Sequence, residues 1–453
     1  FEGVLDTNYW TLTGSWNLSN EASHTGTNSL TDSLGGTYAN SIDRTANLSI
    51  DLRQQEGTRP YLSFWQRNTL EQNEDFGYVE VSTDDGRNWG RLMAVTGFGG
   101  TNWYNQRIDL SEYAGRVTLI RFRIVTDEQN RFDGWYIDDV VVKSNETVAA
   151  GYPFYDNVDL DSSESNWLGS AWKRVVGSAQ GTGGKSWRYQ MGAVDSSAPY
   201  YTHARLTLAG TVDLSGATNP QLSFWWKGGD MSSGTSLYVD VSANGGQTWS
   251  DLWSRASLQN QPWTRGQVDL SRFIGLDQIA IRFRAYTVYY STVDLQIDDV
   301  RIDDAPKDVN VQVSPGTDSR HGAILSWEQS DAPDFAYYWI SRSTQANAYE
   351  TLVTTITNRS TLTFEDTGLD ISGQTYYYRV LVWDTTGLNN WGSGDYPYRT
   401  SWGRAVAITP LSDGFESGDS YWAGDRPWGI TTEKAHSGTS SWTDSPGTTY
   451  GNN

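Results

Sequence analysis

The chemistry open to this chain lies in its carboxylates. Residues 135–140 read WYIDDV and residues 295–300 read LQIDDV, so two apolar runs stop at the same acid pair, Asp138-Asp139 and Asp298-Asp299. Three segments open with an aromatic residue followed by an acid: Phe1-Glu2, Tyr155-Asp156 and Phe415-Glu416. In a β-sandwich whose first and last strands pair, these acids meet. Anions brought together repel, and removing them from water is costly unless something neutralises them. Calcium suits the task, because it is a hard cation that takes about 6–8 oxygen ligands. The turns His24-Thr25-Gly26 and His436-Ser437-Gly438 can add backbone carbonyls. The expected calcium ligands are Glu2, Asp138, Asp139, Asp156, Asp298, Asp299 and Glu416. The alternative is a metal-free strand end whose acids accept hydrogen bonds.

No catalytic constellation stands beside these acids. The four histidines are His24, His203, His321 and His436, and no His-Glu-x-x-His is present. His24 and His436 hold the same repeat position, which favours a structural role in a turn. There is no Gly-x-Ser-x-Gly elbow and no phosphate-binding glycine loop. A sandwich glycosidase needs two opposed carboxylates, and no clustered acid motif marks one strand face. The chain is expected not to be an enzyme. Trp65, Trp225 and Trp226 are expected on the strand face opposite Phe64 and Phe224, where indoles can stack on sugar rings or be covered by a neighbouring module.

The elements that position these residues come in repeats. PYLSFWQR at 60–67 returns as PQLSFWWK at 220–227, and VEVSTDDGRNW at 79–89 returns as VDVSANGGQTW at 239–249. Phe224 follows Phe64, Trp249 follows Trp89 and Asp298 follows Asp138 by the same 160 residues. A third copy starts near the C-terminus, where Trp422 follows Trp10 and Gly438 follows Gly26 by 412. Half a sandwich cannot bury its own face, so the chain is expected to continue or to be completed by another subunit. Its segments alternate: Ile120, Phe122 and Ile124 oppose Arg121 and Arg123, the period of a strand. The pattern Ser-x-Asp-x-Gly-x-x-Trp at 82–89 predicts a hairpin turn held by side-chain bonds to amides.

Composition agrees with sheets. The 453 residues include 22 Trp, 26 Tyr and 45 Gly, and the apolar mass is aromatic and β-branched. The formal charge is −21 with scattered Lys and Arg, which excludes phosphate-backbone binding of nucleic acid. No apolar run approaches the ~20 residues of a membrane span. Without cysteine there is neither a disulfide framework nor a thiolate metal site. The opening at Phe1 has no signal-like character, which suggests a processed product or a window from a longer chain. Sequons occur at Asn17, Asn47, Asn145 and Asn358 and matter only in a glycosylating host.

The opening FE with its Trp, HTGTNSL, STDDGRNW and WYIDDV together resemble the MAM-like jelly roll of secreted bacterial proteins, including the C-terminal regions of immune inhibitor A-type metalloproteases. The resemblance implies a concanavalin-like sandwich with bound calcium, carried here onto Glu2, Asp138 and Asp139 and onto Asp156, Asp298 and Asp299. Animal MAM domains carry cysteines, so a cysteine-free chain points to a prokaryotic relative. Between the second and third copies, the strands VNVQVS, AILSW, YYWISRS, STLTFED and YYYRVLVW, with Trp327 and Tyr376, resemble a fibronectin type III domain.

The expected architecture is all-β: tandem antiparallel jelly-roll sandwiches at 1–147 and 148–304, a fibronectin type III domain at 305–410 and the N-terminal part of a third MAM-like repeat at 411–453. The expected function is a non-catalytic, calcium-stabilised structural or adhesive protein, extracellular or at a prokaryotic cell surface, self-associating into fibres or a surface layer. The alternative is an accessory region of a secreted hydrolase that binds polysaccharide.

Overall fold

Strand alternation and Gly/Asn/Asp turns yield a nearly all-β chain in the computed structural model, which describes residues 1–145, 149–176, 184–191, 201–232, 234–288, 292–317, 322–345, 351–369, 374–389, 406–408, 429–431 and 441–443. The chain divides into two compact units, Phe1–Ala305 and Pro306–Asn453. Among the described residues no helix is long and apolar enough to cross a membrane.

The first unit holds two sandwiches. In the first, β1 (Trp10–Leu12), β4 (Asp43–Asp51), β9 (Val117–Val125), β6 (Phe76–Ser82) and β7 (Gly90–Val95) form one antiparallel sheet in that order. Its partner sheet runs β2 (Asn17–Ser19), β3 (Ser29–Thr31), β10 (Gly134–Asn145), β5 (Arg59–Thr69) and β8 (Tyr104–Asp109). The second sandwich repeats both orders. One sheet is β13 (Trp167–Gly169), β16 (Tyr201–Leu208), β22 (Ala280–Val288), β19 (Thr235–Ser242) and β20 (Ser250–Arg255). The other is β14 (Trp172–Val176), β15 (Lys185–Met191), β23 (Val293–Asp304), β18 (Pro220–Gly228) and β21 (Thr264–Asp269). A short opening strand, β12 (Phe154–Asp156), pairs with the closing strand β23.

The period of two decides what each core contains. Ile120, Phe122 and Ile124 are fully buried beside Phe64 and Trp135. On the reverse of β9, Arg121 donates to Glu80 at 2.6 Å, and Arg123 donates twice to Asp43. The predicted hairpin is present in both copies. Ser82 Oγ accepts from Gly86 N at 2.9 Å and Asp84 accepts from Asn88 N at 2.9 Å; Ser242 and Asn244 do the same for Gly246 and Thr248.

The two sandwiches pack on each other through buried polar groups. Arg59, only 2 % exposed, donates to the carbonyls of Ala209 and Gly210 at 2.9 and 2.6 Å. Ala171 N donates to Gln106 Oε1 at 2.7 Å, and Arg107 donates to the carbonyls of Glu164 and Trp167. Tyr61, Leu168 and Ala209 make a small apolar cluster in this junction. Phe76, Tyr78 and Ala94 of the first sandwich join the core cluster of the second.

In the second unit, β24 (Val311–Pro315), β25 (Gly322–Trp327) and β28 (Thr363–Thr367) form a three-stranded sheet. A four-stranded sheet is ordered β27 (Thr351–Ile356), β26 (Phe335–Ser343), β29 (Tyr376–Asp384) and β30 (Val406–Ile408). Trp327, Tyr338, Tyr378 and Val380 lie in its core. Most of 411–453, with Glu416 and His436, lies outside the described residues, as does His321.

Candidate functional site

The repeated acid pair builds a β-bulge. Opposite β5, Asp138 pairs with Trp65 and Val141 with Ser63; opposite β18, Asp298 pairs with Trp225 and Arg301 with Ser223. One extra residue is accommodated in each closing strand. Asp139 and Asp299 take φ of +48° and +47°, the left-handed region that Asp tolerates because its short side chain bonds locally. The first aspartate of each pair satisfies the amide of the second, at 2.7 Å in one copy and 2.8 Å in the other.

In the first sandwich the acids converge on residues 24–28. Asp138 Oδ2 accepts from His24 N at 2.8 Å, and Asp139 takes Thr25 Oγ1 at 2.6 Å and His24 Nδ1 at 2.7 Å. From the other side, Glu2 Oε1 accepts from Thr27 N at 2.8 Å and Asn28 N at 3.1 Å. Gly26 is required, since its φ is +60° and a Cβ there would stand 2.2 Å from Glu2 Oε1. The Thr27 amide holds the Glu2 carboxyl below the usual range. Burial raises Asp139, but hydrogen bonds from Thr25 and His24 outweigh it and the net shift is downward.

The second sandwich departs from expectation. Asp156 does not stand in for Glu2. Its carboxylate is buried and saturated by Val158 N, Ser163 Oγ, Asn166 Nδ2 and Trp167 Nε1, at 2.8, 2.6, 3.0 and 2.8 Å. The counterpart of Glu2 is Asp159, which accepts from Gly184 N at 2.7 Å and Lys185 N at 3.0 Å. The signal was in the sequence: Trp167 follows Trp10 by 157 residues, and the same step carries Glu2 to Asp159 and Asn28 to Lys185. Asp299 accepts from Tyr155 OH at 3.1 Å. Burial, reinforced by the charge of Asp159, pushes Asp299 up.

The clasp of the first sandwich leads to a cleft. The His24 ring, held by Asp139, stacks on Trp65 with centroids 3.8 Å apart, and Trp103 meets it edge-on at 6.1 Å. Trp65, Trp103 and Tyr104 from the first sandwich face Trp172, Lys173 and Trp187 from the second across a cleft of about 380 Å³. A second hollow of about 510 Å³ adjoins it, sharing Tyr104 and Lys173 and adding Gln66, Asn68 and Gln106. Trp65 and Trp103 keep part of their surface open, whereas Trp172 and Trp187 are 1 % and 4 % exposed and form the floor. Among the described residues, the indole N–H groups of both floor residues meet no acceptor.

Of the three expected sugar platforms, Trp65 lines this cleft and Trp225 is half-buried on β18. Trp226 is a correction: it is 1 % exposed and lies in the core with Phe224. Two residues after Phe224, by the period of two, it must point the same way as that ring.

Sequence reasoning also missed acids. Glu71, Asp75 and Asp127 bring one oxygen each within 4.8 Å of one another. Asp127 is 52 residues beyond Asp75, so spacing in the sequence does not bring the three together. Asp75 is engaged by Tyr38 OH and by Asp127 N at 2.8 Å. Asp32, fully buried, accepts from Trp135 N at 2.7 Å, and burial raises its pKa to about 7.

No family model matches the chain. Bacillopeptidase F of Bacillus subtilis (strain 168) is 34% identical over 112 residues, which are 24% of this chain and 8% of that protein. Among solved structures, the N-terminal CBM22-1-CBM22-2 tandem domain of Paenibacillus barcinonensis Xyn10C overlaps 67% of this chain and 95% of its own, at 16% identity and a TM-score of 0.24. The K1 cleaved adhesin domain of Lys-gingipain from Porphyromonas gingivalis W83 overlaps 34% of this chain and 99% of its own, at 14% identity and a TM-score of 0.23. Overlaps this shallow identify no ligand.

Proposed function

We propose that this chain is a non-catalytic, extracellular accessory region that binds polysaccharide in the cleft between its first two sandwiches, as part of a secreted bacterial hydrolase. One observation carries the reading: a cleft with two part-open indoles and a phenol on one wall and polar side chains between them. Aromatic faces stack on the C–H faces of pyranose rings, and the polar groups set orientation. The short match to Bacillopeptidase F supports the hydrolase association. The second unit, with its three-plus-four strand order, is read as a fibronectin type III-like spacer.

The test is a glycan array with the full chain, followed by calorimetry on any hit. Trp65→Ala and Trp103→Ala should each weaken binding ~5-fold or more, since a lost stacking platform is worth about 1–3 kcal/mol. Binding to no glycan, or binding indifferent to both substitutions, overturns the reading.

We further propose that calcium stiffens the clasps by drawing together Glu2, Asp138 and Asp139 in the first sandwich and Asp159, Asp298 and Asp299 in the second, trios that without it do not bring one oxygen each within 4.8 Å of one another. The donor set is all oxygen, as calcium requires. Asp299, half-buried near Asp159, has the most to gain from a cation. In the first sandwich amides and hydroxyls already donate to these acids, so that clasp also closes without metal. Chelator should lower the melting temperature by several degrees and calcium restore it, with Asp299→Asn and Asp139→Asn each removing part of the response. A melting curve indifferent to chelator leaves the hydrogen-bonded clasp and removes the ion. Self-association is a separate proposal, read by sedimentation of the full chain with and without calcium.

A further inference from the structure

Lys173 is out of place energetically. It stands on β14 in the wall common to the cleft and the adjoining hollow. Its Nζ lies 3.4 Å from the centroid of the Tyr104 ring. Among the described residues it enters no ion pair, and burial lowers its pKa. The other cations of the two hollows are engaged. Arg174 is tied to Asp161 and Glu164, Lys185 to Asp161, and Arg188 to both oxygens of Asp294. Arg107 is held by the carbonyls of Glu164 and Trp167. Asp230 and Glu164 are the acids among the lining residues, and Glu164 already faces Arg174. An ammonium drawn out of water against a phenol ring is stabilised by the ring only in part. Among the described residues no carboxylate pairs with it.

The unsatisfied polar atoms of the same walls agree. Among the described residues, Gln66 Nε2, Trp172 Nε1 and Trp187 Nε1 are buried without a partner, and all three are donors. Gln66 is fully buried, its Oε1 engaged by Trp135 Nε1 at 2.7 Å, so its amide hydrogens remain to be satisfied. Walls rich in donors beside an unpaired cation call for a ligand rich in acceptors and negative. The chain as a whole carries −21, so this local surplus of positive charge runs against its background.

We infer that the cleft takes an acidic polysaccharide, and that Lys173 reads the carboxylate of a uronic acid unit while Trp65 and Trp103 carry the neighbouring rings. This deepens the polysaccharide reading and rests on it. The test titrates the full chain with uronic acid oligomers (galacturonate, glucuronate, mannuronate) and with the methyl ester of each, which keeps the sugar and removes the charge. The parent should bind at least one acid form ~10-fold or more tighter than its ester, and added salt should narrow that gap. Lys173→Gln should close the gap by weakening the acid form to the level of its ester; Lys173→Arg should keep it. Trp65→Ala should weaken acid and ester alike. Equal affinity of the parent for acid and ester overturns the role of Lys173 but leaves the polysaccharide reading standing. A gap that survives Lys173→Gln, in a variant with the parent melting temperature, also overturns it, as does a sulfated oligomer preferred over every uronate. Binding to neither these oligomers nor any arrayed glycan overturns both.

Discussion

At the residue scale, a buried cation should cost stability when its ligand is absent. Burial lowers Lys173 to about 8 from the ordinary lysine value of 10.5. A folded-state pKa below the unfolded one means that the charged form is disfavoured by folding. The penalty is full below pH 8 and vanishes as pH rises past about 10.5. Lys173→Met should therefore stabilise the chain by on the order of 1–2 kcal/mol at pH 7, allowing for partial exposure, and by almost nothing at pH 10.5. Chemical denaturation of parent and variant at both pH values measures this. A destabilised variant at pH 7 would mean that the ammonium has an anionic partner already. Residues that weaken the fold while serving a ligand are the usual signature of a functional position.

At the scale of elements, the cleft exists because two sandwiches share a junction. Arg59 on β5 reaches across it to two carbonyls and stands 3.7 Å from Asp109. Removing the guanidinium removes both of these hydrogen bonds, a loss of about 1–3 kcal/mol each at most. Arg59→Met should lower the melting temperature and, by loosening the junction, weaken glycan binding even though Arg59 is not among the residues lining the cleft. Calorimetry reads both; unchanged binding in a variant with a lowered melting temperature would show that the cleft does not depend on this contact. The bulge acts at the same scale. By placing Asp138 opposite Trp65 and turning Asp139 toward His24, it buttresses the indole that lines the cleft.

For the whole molecule, what the sequence revealed was what periodicity and repetition encode. The alternation in LIRFRI placed Ile120, Phe122 and Ile124 in the core, and the 160-residue step aligned β5 with β18 and β10 with β23. The acid pair was visible, but its geometry was not. A left-handed Asp139 is a consequence of pairing with β5, which local spacing does not report. Asp156 was misplaced because the opening half repeats with a step of 157, so a dipeptide match misled where the Trp10–Trp167 step did not. Trp226 was misassigned against the period of two. Lys173 had no signal at all, since its meaning depends on Tyr104, which reaches it only when the sandwiches dock.

The central claim is that sugar lodges between the first two sandwiches. The most direct measurement follows the tryptophan indole N–H signals of the isotope-labelled full chain by NMR during titration with the tightest-binding oligosaccharide. The signals of Trp65, Trp103, Trp172 and Trp187, assigned by single substitution, should shift in a saturable manner, while Trp16, buried in the first core, stays fixed. Shifts confined to tryptophans away from the cleft, with those four unmoved at saturation, would contradict the account.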